Sequence, residues 1–473
     1  MTATVAPAGA AALTRDIDRI LRDPRLSASR AGVVVRSAAT GEILYERDAD
    51  RLFTPASLVK LVTAAAALDI LGPGHRFTTR VLASGHHAHG VLHGDLHLLG
   101  TGDPAMLAAD YGALAAKVAA TGVRTVTGGL VADDTWFDDE RHGAGWLIDD
   151  ESLYFAAPIS ALTASPNSRY DAGAVIVTVT PAGRHGDPAE VTTTPRTGHL
   201  AIDNRATTGA TTRLRIRRAH GSDRVVVTGT VDRPAAERIA VRDPTGYAAT
   251  LFGEALAEHG VTVEGHTAHA GTPAGARELA AHESMPLAEL MAPLLKWSSN
   301  AQAEILTKTL GRAVRGEGTW RAGLEVLTGY GSRHGVRSGR LRDGSGLSRL
   351  DSMTPREVAA LLLAVRAKPW FATLRDALPA AGHGGPLDRG TLRRRMDGTP
   401  AAGNLRAKTG TMTEVSGLAG YVDTADGEPL VFCVLLNNHL TSVKDVEDAV
   451  AVRLSRFRRG PGERQLDSEW PGN

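Results

Sequence analysis

Cysteine, lysine and aromatic residues are scarce in this chain, and the scarcity of cysteine excludes proteins that depend on internal disulfides or multi-cysteine metal sites. The single cysteine, Cys433, has no partner for an internal disulfide and cannot belong to a multi-cysteine metal site. Its apolar neighbours in 430–436 predict a buried thiol. The 53 basic and 52 acidic side chains nearly cancel, and a net charge of +1 argues against a dedicated nucleic-acid-binding protein.

Long apolar runs are missing as well. No stretch approaches the roughly 20 apolar residues that span a bilayer, and the first residues do not resemble an export signal, so we expect no membrane span in this chain. Hydrophobic residues nevertheless make up 42% of the 473 residues, which is enough for a sizeable core. At roughly 100 to 200 residues per domain, we expect two to four domains.

The chain changes in character along its length. Helix and hairpin patterns at the start, and strand-like runs followed by a helix at the end, predict one antiparallel sheet covered by helices. Short strands and two helical patches fill the middle. We predict a discontinuous catalytic domain, 1–73 with 277–473, an α/β insertion, 74–165 with 241–276, and a small β-rich insertion, 166–240.

Lysine accounts for only seven of the 53 basic residues, so each lysine deserves inspection. A desolvated lysine can lose its proton and act as a base, whereas arginine cannot. Ser57 and Lys60 lie just after Pro55, at the start of an apolar helix predicted over 58–71. Their spacing places both side chains on one helix face, where a neutral amine can take the serine's proton. A capping serine with a solvated lysine is the alternative.

A second pattern, Ser298-Ser299-Asn300, precedes a helical stretch. Ser298 and Asn300 are spaced so that a hydroxyl and an amide can bracket a reacting group. The pattern is common, however, and a helix N-cap is the simpler interpretation of it in isolation.

A third pattern is Lys408-Thr409-Gly410-Thr411, at the end of a predicted strand. It offers a cation, two hydroxyls and a glycine where a ligand can approach the backbone closely, and these groups suit a substrate carboxylate. An ordinary strand end with a solvated lysine is the alternative. The order of the three patterns carries more information than any of them alone.

Ser-x-x-Lys, then Ser-x-Asn, then Lys-Thr-Gly is the signature of penicillin-recognising serine enzymes. With the long insertion between the first two motifs, the chain closely resembles, over roughly 30–455, the class C low-molecular-mass penicillin-binding proteins, the D-Ala-D-Ala carboxypeptidases of peptidase family S13. Supporting segments are Gly94-Asp95-Leu96 with Gly102-Asp103-Pro104, Asp343-Gly344-Ser345-Gly346-Leu347-Ser348-Arg349, and Gly417-Leu418-Ala419-Gly420-Tyr421. The resemblance implies an α/β (α+β) fold, a five-stranded antiparallel sheet flanked by helices, with a long two-part insertion.

The resemblance also implies catalytic roles. Ser57 attacks the carbonyl between two D-alanines and forms an acyl-enzyme, and Lys60 is the base for that attack. Ser298 relays the proton to the leaving amine, and Asn300 binds the amide on the acyl side. Lys408 helps to keep Lys60 neutral, and the backbone N–H groups of Ser57 and Thr411 form the oxyanion hole.

The substrate and partners follow from the same resemblance. The partners implied are peptidoglycan stem peptides ending in D-Ala-D-Ala, and β-lactams as covalent inhibitors; no nucleic acid and no cofactor are expected, and the location implied is exocytoplasmic. The residues implied in substrate binding are Thr409, Gly410, Thr411 and Met412 from the third motif, with Asp150, Tyr154, Phe155 and Arg349 elsewhere. Asp150 is expected to meet an ammonium and the aromatic residues with Met412 to line an apolar slot, whereas a solvated acidic run is the alternative for Asp150.

Other functions stay open beside the carboxypeptidase. D,D-endopeptidase action on cross-links uses the same chemistry, and so does a β-lactamase or esterase. No Glu-x-x-Leu-Asn segment is present to speed deacylation, so we expect slow release of a β-lactam. A non-catalytic peptidoglycan-binding module fits poorly with three intact motifs. The histidines His86, His87, His89, His93 and His97 invite a metal hypothesis, but their alternation with apolar residues predicts a turn entering a strand, so no metal is expected.

Overall fold

A computed structural model describes residues 8–460 and divides the chain into two compact units. The first unit comprises the chain up to Val62, residues Tyr330–Leu341 and the chain from Leu350 onward. The second comprises Thr63–Gly329 and Arg342–Arg349. The helices Lys60–Ile70 and Trp320–Arg333 are each divided at a boundary between the units.

An antiparallel sheet of five strands forms the centre of the first unit. The strands lie in the order Arg406–Met412, Val415–Asp423, Pro429–Asn437, Arg30–Ser37 and Ile43–Arg47. Arg30–Ser37 pairs with Pro429–Asn437 along its whole length, so the beginning and the end of the chain share one sheet. Both strands are almost wholly buried, as near-continuous apolar runs predict for strands covered on both faces.

Helices cover this sheet and complete the core of the first unit. Ala8–Ile20 packs against Lys444–Ser455, and their apolar side chains join a buried cluster that includes Val33 and Val35. Pro355–Ala364 packs against the strands Arg30–Ser37 and Pro429–Asn437. The remaining helical segments are Phe371–Ala377 and Pro386–Arg389, with 3₁₀ turns at Pro24–Leu26, Ala56–Val59, Val365–Ala367 and Gly390–Leu392. The predicted fold class, a five-stranded antiparallel sheet flanked by helices, is therefore confirmed.

The second unit contains four sheets. Its five-stranded sheet has the order Ala268–His269, Leu130–Asp133, Leu96–Gly100, Thr78–Ala83 and Arg277–Glu283, and its four-stranded sheet the order Thr262–Val263, Thr125–Val126, Val91–His93 and His86–Ala88. Two three-stranded sheets have the orders Glu190–Thr194, Ala174–Thr180, Ala235–Ala240 and Ala201–Thr208, Arg224–Val231, Arg213–Arg218. The helical segments are Ala108–Ala120, Pro244–Glu258, Leu287–Lys296 and Asn300–Arg315, with 3₁₀ turns at Ile148–Asp150 and Tyr154–Ala156.

Several sequence predictions recur in these elements. The two helical patches of the middle region are the helices Ala108–Ala120 and Pro244–Glu258. Residues 277–329, which the sequence prediction assigns to the catalytic domain, lie in the second unit. The division into three domains stays a prediction. Within residues 8–460, no helix is both long enough and apolar enough to cross a membrane.

Candidate active site

Ser57 lies on the 3₁₀ turn Ala56–Val59, which leads directly into the helix Lys60–Ile70. The sequence predicts an α-helix already from residue 58, but the α-helix begins at Lys60. Lys60 Nζ donates a hydrogen bond of 2.9 Å to Ser57 Oγ. Lys60 is fully buried, whereas Ser57 is half-buried. The turn therefore keeps the hydroxyl within reach of a substrate while it withdraws the amine from water.

The third motif lies within the edge strand Arg406–Met412 and not, as predicted, at a strand end. A Cβ atom added at Gly410 would lie 2.8 Å from the carbonyl oxygen of Pro55 and 3.3 Å from Ala56 Cβ. Glycine therefore allows this strand to lie against the turn that carries Ser57. The sequence predicts that Gly410 allows a ligand to approach the strand closely, but in the structure the backbone of Pro55 makes this close approach.

Lys408 is fully buried in this strand, and its Nζ donates a hydrogen bond of 2.8 Å to the carbonyl oxygen of Thr409. Burial, and next the charge of Lys60, lower the pKa of Lys408 well below its ordinary range. The repulsion between the two ammonium groups is mutual, so a proton on either amine disfavours a proton on the other.

The hydroxyls of the third motif differ in their surroundings. Thr409 is buried, and its Oγ1 is hydrogen-bonded to Thr391 Oγ1 at 2.7 Å. Thr411 is exposed and Met412 is half-buried. Sequence reasoning missed Thr391, which lies on the 3₁₀ turn Gly390–Leu392 in a stretch without any local signal for a site.

The second motif lies in the second unit, in the turn between the helices Leu287–Lys296 and Asn300–Arg315. The N-cap of the second helix is Ser299, whose Oγ accepts a hydrogen bond from the Gln302 amide. The capping interpretation of the motif therefore applies to Ser299 and not to Ser298. Ser298 itself adopts a left-handed backbone with φ of +59°.

Asn300 is hydrogen-bonded to the segment that carries Tyr154 and Phe155, the aromatic residues predicted to line an apolar slot for the substrate. Its Nδ2 donates a hydrogen bond of 2.8 Å to the carbonyl oxygen of Phe155. The rings of Tyr154 and Phe155 pack edge to face at 5.7 Å, and the guanidinium of Arg238 lies 3.4 Å from the centre of the Tyr154 ring. The structure thus brings Asn300, Tyr154 and Phe155 together, while the apolar slot with Met412 stays a prediction.

Asp150 and Arg349 are electrostatic neighbours in the second unit. Burial, and next the charge of Asp149, raise the pKa of the half-buried Asp150, while the Arg349 guanidinium lowers it. The structure therefore relates two of the predicted substrate-binding residues to each other. Their role in recognition stays a prediction.

A buried carboxylate that sequence reasoning missed organises the loop before Arg349. Glu304 accepts hydrogen bonds from the backbone N–H groups of Gly344 at 2.9 Å and Ser345 at 2.8 Å. Burial, and next the charge of Asp343, raise the pKa of Glu304 to about 7. One sequence signal could have identified Glu304. It is an acidic residue that directly precedes two apolar residues, 305 and 306, in the helix that begins at Asn300.

Cys433 is fully buried, as predicted, and burial raises the pKa of its thiol well above the usual range, which makes it unreactive. His86, His87 and His93 lie on the strand pair His86–Ala88 and Val91–His93, and His89 lies in the turn between these strands. His97 lies on the strand Leu96–Gly100 of another sheet. Over residues 8–460, no group of three or more histidine, cysteine, aspartate or glutamate side chains is arranged to hold a metal ion.

An accessible serine beside a buried lysine, next to the edge strand of a five-stranded antiparallel sheet, defines a serine enzyme of the penicillin-recognising class. The sequence model of the D-Ala-D-Ala carboxypeptidase 3 (S13) family matches residues 13–457. The D-alanyl-D-alanine carboxypeptidase of Actinomadura sp. (strain R39) is 44% identical over 97% of this chain and 89% of that protein. The chain belongs to the D-Ala-D-Ala carboxypeptidase 3 (S13) family, as its motifs predict.

Solved structures agree with this fold. Penicillin binding protein 4 of Haemophilus influenzae superimposes with a TM-score of 0.81 at 23% identity, over 93% of this chain and 99% of that chain. The same protein in complex with a β-lactam gives a TM-score of 0.76 at 23% identity, over 93% of this chain and 98% of that chain. At this identity the likeness concerns the fold.

Proposed function

We propose that this protein is a serine-type D-Ala-D-Ala carboxypeptidase that cleaves peptidoglycan stem peptides through an acyl-enzyme on Ser57. The observation that carries the proposal is the fully buried Lys60 amine, hydrogen-bonded at 2.9 Å to the half-buried Ser57 hydroxyl. Family membership supports the same activity, and D-alanyl-D-alanine carboxypeptidase is the name of the relative that shares 44% of its residues over 97% of this chain.

The acylation step begins when neutral Lys60 accepts the proton of Ser57 and the serine oxygen attacks the carbonyl carbon between the two D-alanines. The negative charge of the tetrahedral intermediate is stabilised by the backbone N–H groups of Ser57 and Thr411, at roughly 3 kcal/mol per donor. The carbon–nitrogen bond then breaks, and the leaving amine receives a proton through Ser298. Water hydrolyses the acyl-enzyme and restores the serine.

Lys408 supports this chemistry in two ways. Its proximity to Lys60 opposes double protonation of the pair, which favours a neutral base. When the carboxylate at the end of the substrate binds, its negative charge favours a proton on Lys408, and the resulting ammonium group attracts that carboxylate. We assign the exposed hydroxyl of Thr411 to direct contact with that carboxylate, while Thr409, bonded to Thr391, and Gly410 position the strand.

Recognition of the peptide side chain is assigned to the second unit. We propose that Asp150 meets an ammonium group, and its electrostatic interaction with Arg349 supports a shared role in recognition. Asn300 binds the amide on the acyl side, and Tyr154 and Phe155 form an apolar wall. Because peptidoglycan lies outside the cytoplasm, the protein acts in an exocytoplasmic space.

Exposure to penicillin followed by peptide mapping and mass spectrometry tests the proposal. We expect one penicillin per chain, attached to the peptide that contains Ser57 and retained for minutes or longer. The Ser57→Ala variant should unfold at the same temperature and carry no label, because the change removes only the nucleophile.

The possible outcomes separate the alternatives. Labelling that persists unchanged in Ser57→Ala refutes the proposal. Release of the hydrolysed antibiotic within seconds indicates a β-lactamase, and the absence of any label indicates a non-catalytic module. Stem-peptide dimers added as substrates then measure endopeptidase action against release of terminal D-alanine.

A further inference from the structure

The strand Arg213–Arg218 in the second unit carries an exposed arginine at every other position. Arg213, Arg215 and Arg217 are exposed, whereas Ile216 is buried. Side chains alternate between the two faces of a strand, so the three arginines share the solvent face and follow one another at a spacing of about 7 Å.

Neighbouring strands extend this cationic surface. In the sheet register Arg215 lies opposite Thr228, which lies opposite Arg205. Arg205 and Arg224 form ion pairs with the same carboxylate, Asp203, at 2.7 Å and 3.2 Å. We use the name arginine face for this surface, which comprises Asp203, Arg205, Arg213, Arg215, Arg217 and Arg224.

The charge of the arginine face is largely uncompensated. In the part of the chain that the structure describes, no carboxylate lies within ion-pair distance of Arg213, Arg215 or Arg217. The whole chain has a net charge of only +1, so this concentration of positive charge is local. The opposite face of the sheet, with Ile216 and Val227, packs into the core, so folding does not require the exposed arginines.

We propose that the arginine face binds an extended anionic polymer of the cell wall, with phosphodiester or carboxylate groups that recur along its chain. Guanidinium groups bind both kinds of oxyanion through paired hydrogen bonds. A shallow cavity of about 270 Å³, lined by Arg215, Arg217, Val226 and Thr228 among others, lies on this strand pair. The assignment to the cell wall rests on the proposed function, whereas binding of a polyanion does not.

Two other kinds of partner fit the arginine face less well. The strands Ala201–Thr208, Arg213–Arg218 and Arg224–Val231 contain no aromatic residue on which a nucleic-acid base can stack. The arginine face also lacks the large apolar side chains that anchor a protein in a membrane surface. Its apolar neighbour is Val226, which lies opposite Arg217 in the sheet register and is half-buried.

Binding is measured by biolayer interferometry on the immobilised full-length protein at 50 and 300 mM salt. The probes are a synthetic glycerol-phosphate polymer, poly-L-glutamate of similar length, and vesicles of phosphatidylglycerol. We expect the wild-type protein to bind a soluble polymer, and Arg213→Gln/Arg215→Gln/Arg217→Gln to bind it at least 10-fold more weakly, with a smaller dependence on salt. Glycerol-phosphate and glutamate polymers distinguish phosphodiester from carboxylate recognition.

A matched control carries Arg47→Gln, Arg277→Gln and Arg337→Gln, three exposed arginines outside the arginine face. It has the same net charge as the test variant, so binding within about 2-fold of wild type assigns the effect to the site and not to overall charge. Equal binding by wild type and test variant, equal losses in both variants, binding to vesicles alone, or no binding at 50 mM salt overturns the inference. Penicillin labelling of Ser57 should be the same in all three proteins, which separates this result from a failure of the proposed function.

Discussion

When both are protonated, the side chains of Lys60 and Lys408 in the first unit repel each other. Both amines are fully buried, and the charge of Lys60 contributes to the lowered pKa of Lys408. An isolated buried lysine is costly, and conversion to its neutral form reduces that cost. In the proposed mechanism the neutral Lys60 amine is the base, and its Nζ lies 2.9 Å from Ser57 Oγ.

The Lys60→Arg variant tests this role of neutrality. Arginine retains the positive charge and the hydrogen-bonding capacity, but it cannot become neutral, so penicillin acylation should slow by about 10²- to 10⁴-fold, the range typical of a lost general base. Stopped-flow acylation with a fluorescent penicillin measures the rate. Lys444→Arg, at an exposed position, should acylate as the wild type does.

Near-normal acylation by Lys60→Arg would refute the base assignment. Because arginine is larger than lysine in a fully buried position, Lys60→Met serves as a second variant that removes the amine without adding volume. A cooperative thermal transition in both variants shows that a slow rate reflects chemistry and not unfolding.

The edge strand Arg406–Met412 packs closely against the turn Ala56–Val59, so the backbone position of each limits that of the other. The turn requires a left-handed backbone at Ala56, with φ of +47°, which costs on the order of 1 to 3 kcal/mol for a residue other than glycine. Gly410 lets the strand pack against this turn. Backbone strain at the residue before a nucleophile, supported by close packing from a strand, is typical of a site built for chemistry.

Gly410→Ala tests how closely the strand and the turn must approach. The added methyl group meets the carbonyl oxygen of Pro55 at 2.8 Å, so one of the two backbones must shift. A displacement of about 1 Å at a reacting group can cost about 10²-fold, so we expect the smaller shift required here to slow acylation by up to about that factor. Gly74→Ala adds a methyl group with no atom within 4 Å and should leave the rate unchanged. Equal acylation rates in the two variants would contradict this account.

The stability of the protein should depend on pH through a buried acid in the second unit. Asp103 is buried, and its Oδ1 accepts a hydrogen bond of 2.8 Å from the Ala105 amide. Its Oδ2 has no hydrogen-bond partner among residues 8–460, and His282 Nε2 lies 3.7 Å away. Burial, and next the charge of Asp110, raise the pKa of Asp103 to about 7.

Asp103→Asn isolates this contribution. The unfolded pKa is near 4, so between about pH 4 and 7 the folded protein binds more protons at this site than the unfolded chain, and the free energy of unfolding falls as pH rises. The asparagine variant lacks this term, so wild type should lose up to about 4 kcal/mol relative to it across that window. Urea unfolding at pH 4.5, 5.5, 6.5 and 7.5 measures the difference.

The exposed residue Asp139 supplies the control, because Asp139→Asn should follow the wild-type pH profile. Parallel profiles for wild type and Asp103→Asn would show that the carboxyl stays ionised in the folded protein throughout. A difference that grows with acidity, instead of with alkalinity, would contradict the assigned sign.

The amino-acid sequence alone predicts the family and the central sheet. The three motifs are short, and the chemistry of each depends on residues within a few positions, so local spacing is sufficient to recognise them. The strands of 30–47 and 406–437 follow from apolar runs separated by turns, because strand formation and hairpin closure leave local signals.

Only the tertiary structure places Lys408 beside Lys60, sets Gly410 against Pro55 and supplies Thr391 and Glu304 as partners. These contacts join residues far apart in the chain, and no local pattern encodes the burial or the distances that result. Burial determines the pKa of an amine or carboxyl, and burial is a property of the packed chain. The sequence therefore identifies the reacting groups, and the fold determines whether their protons can move.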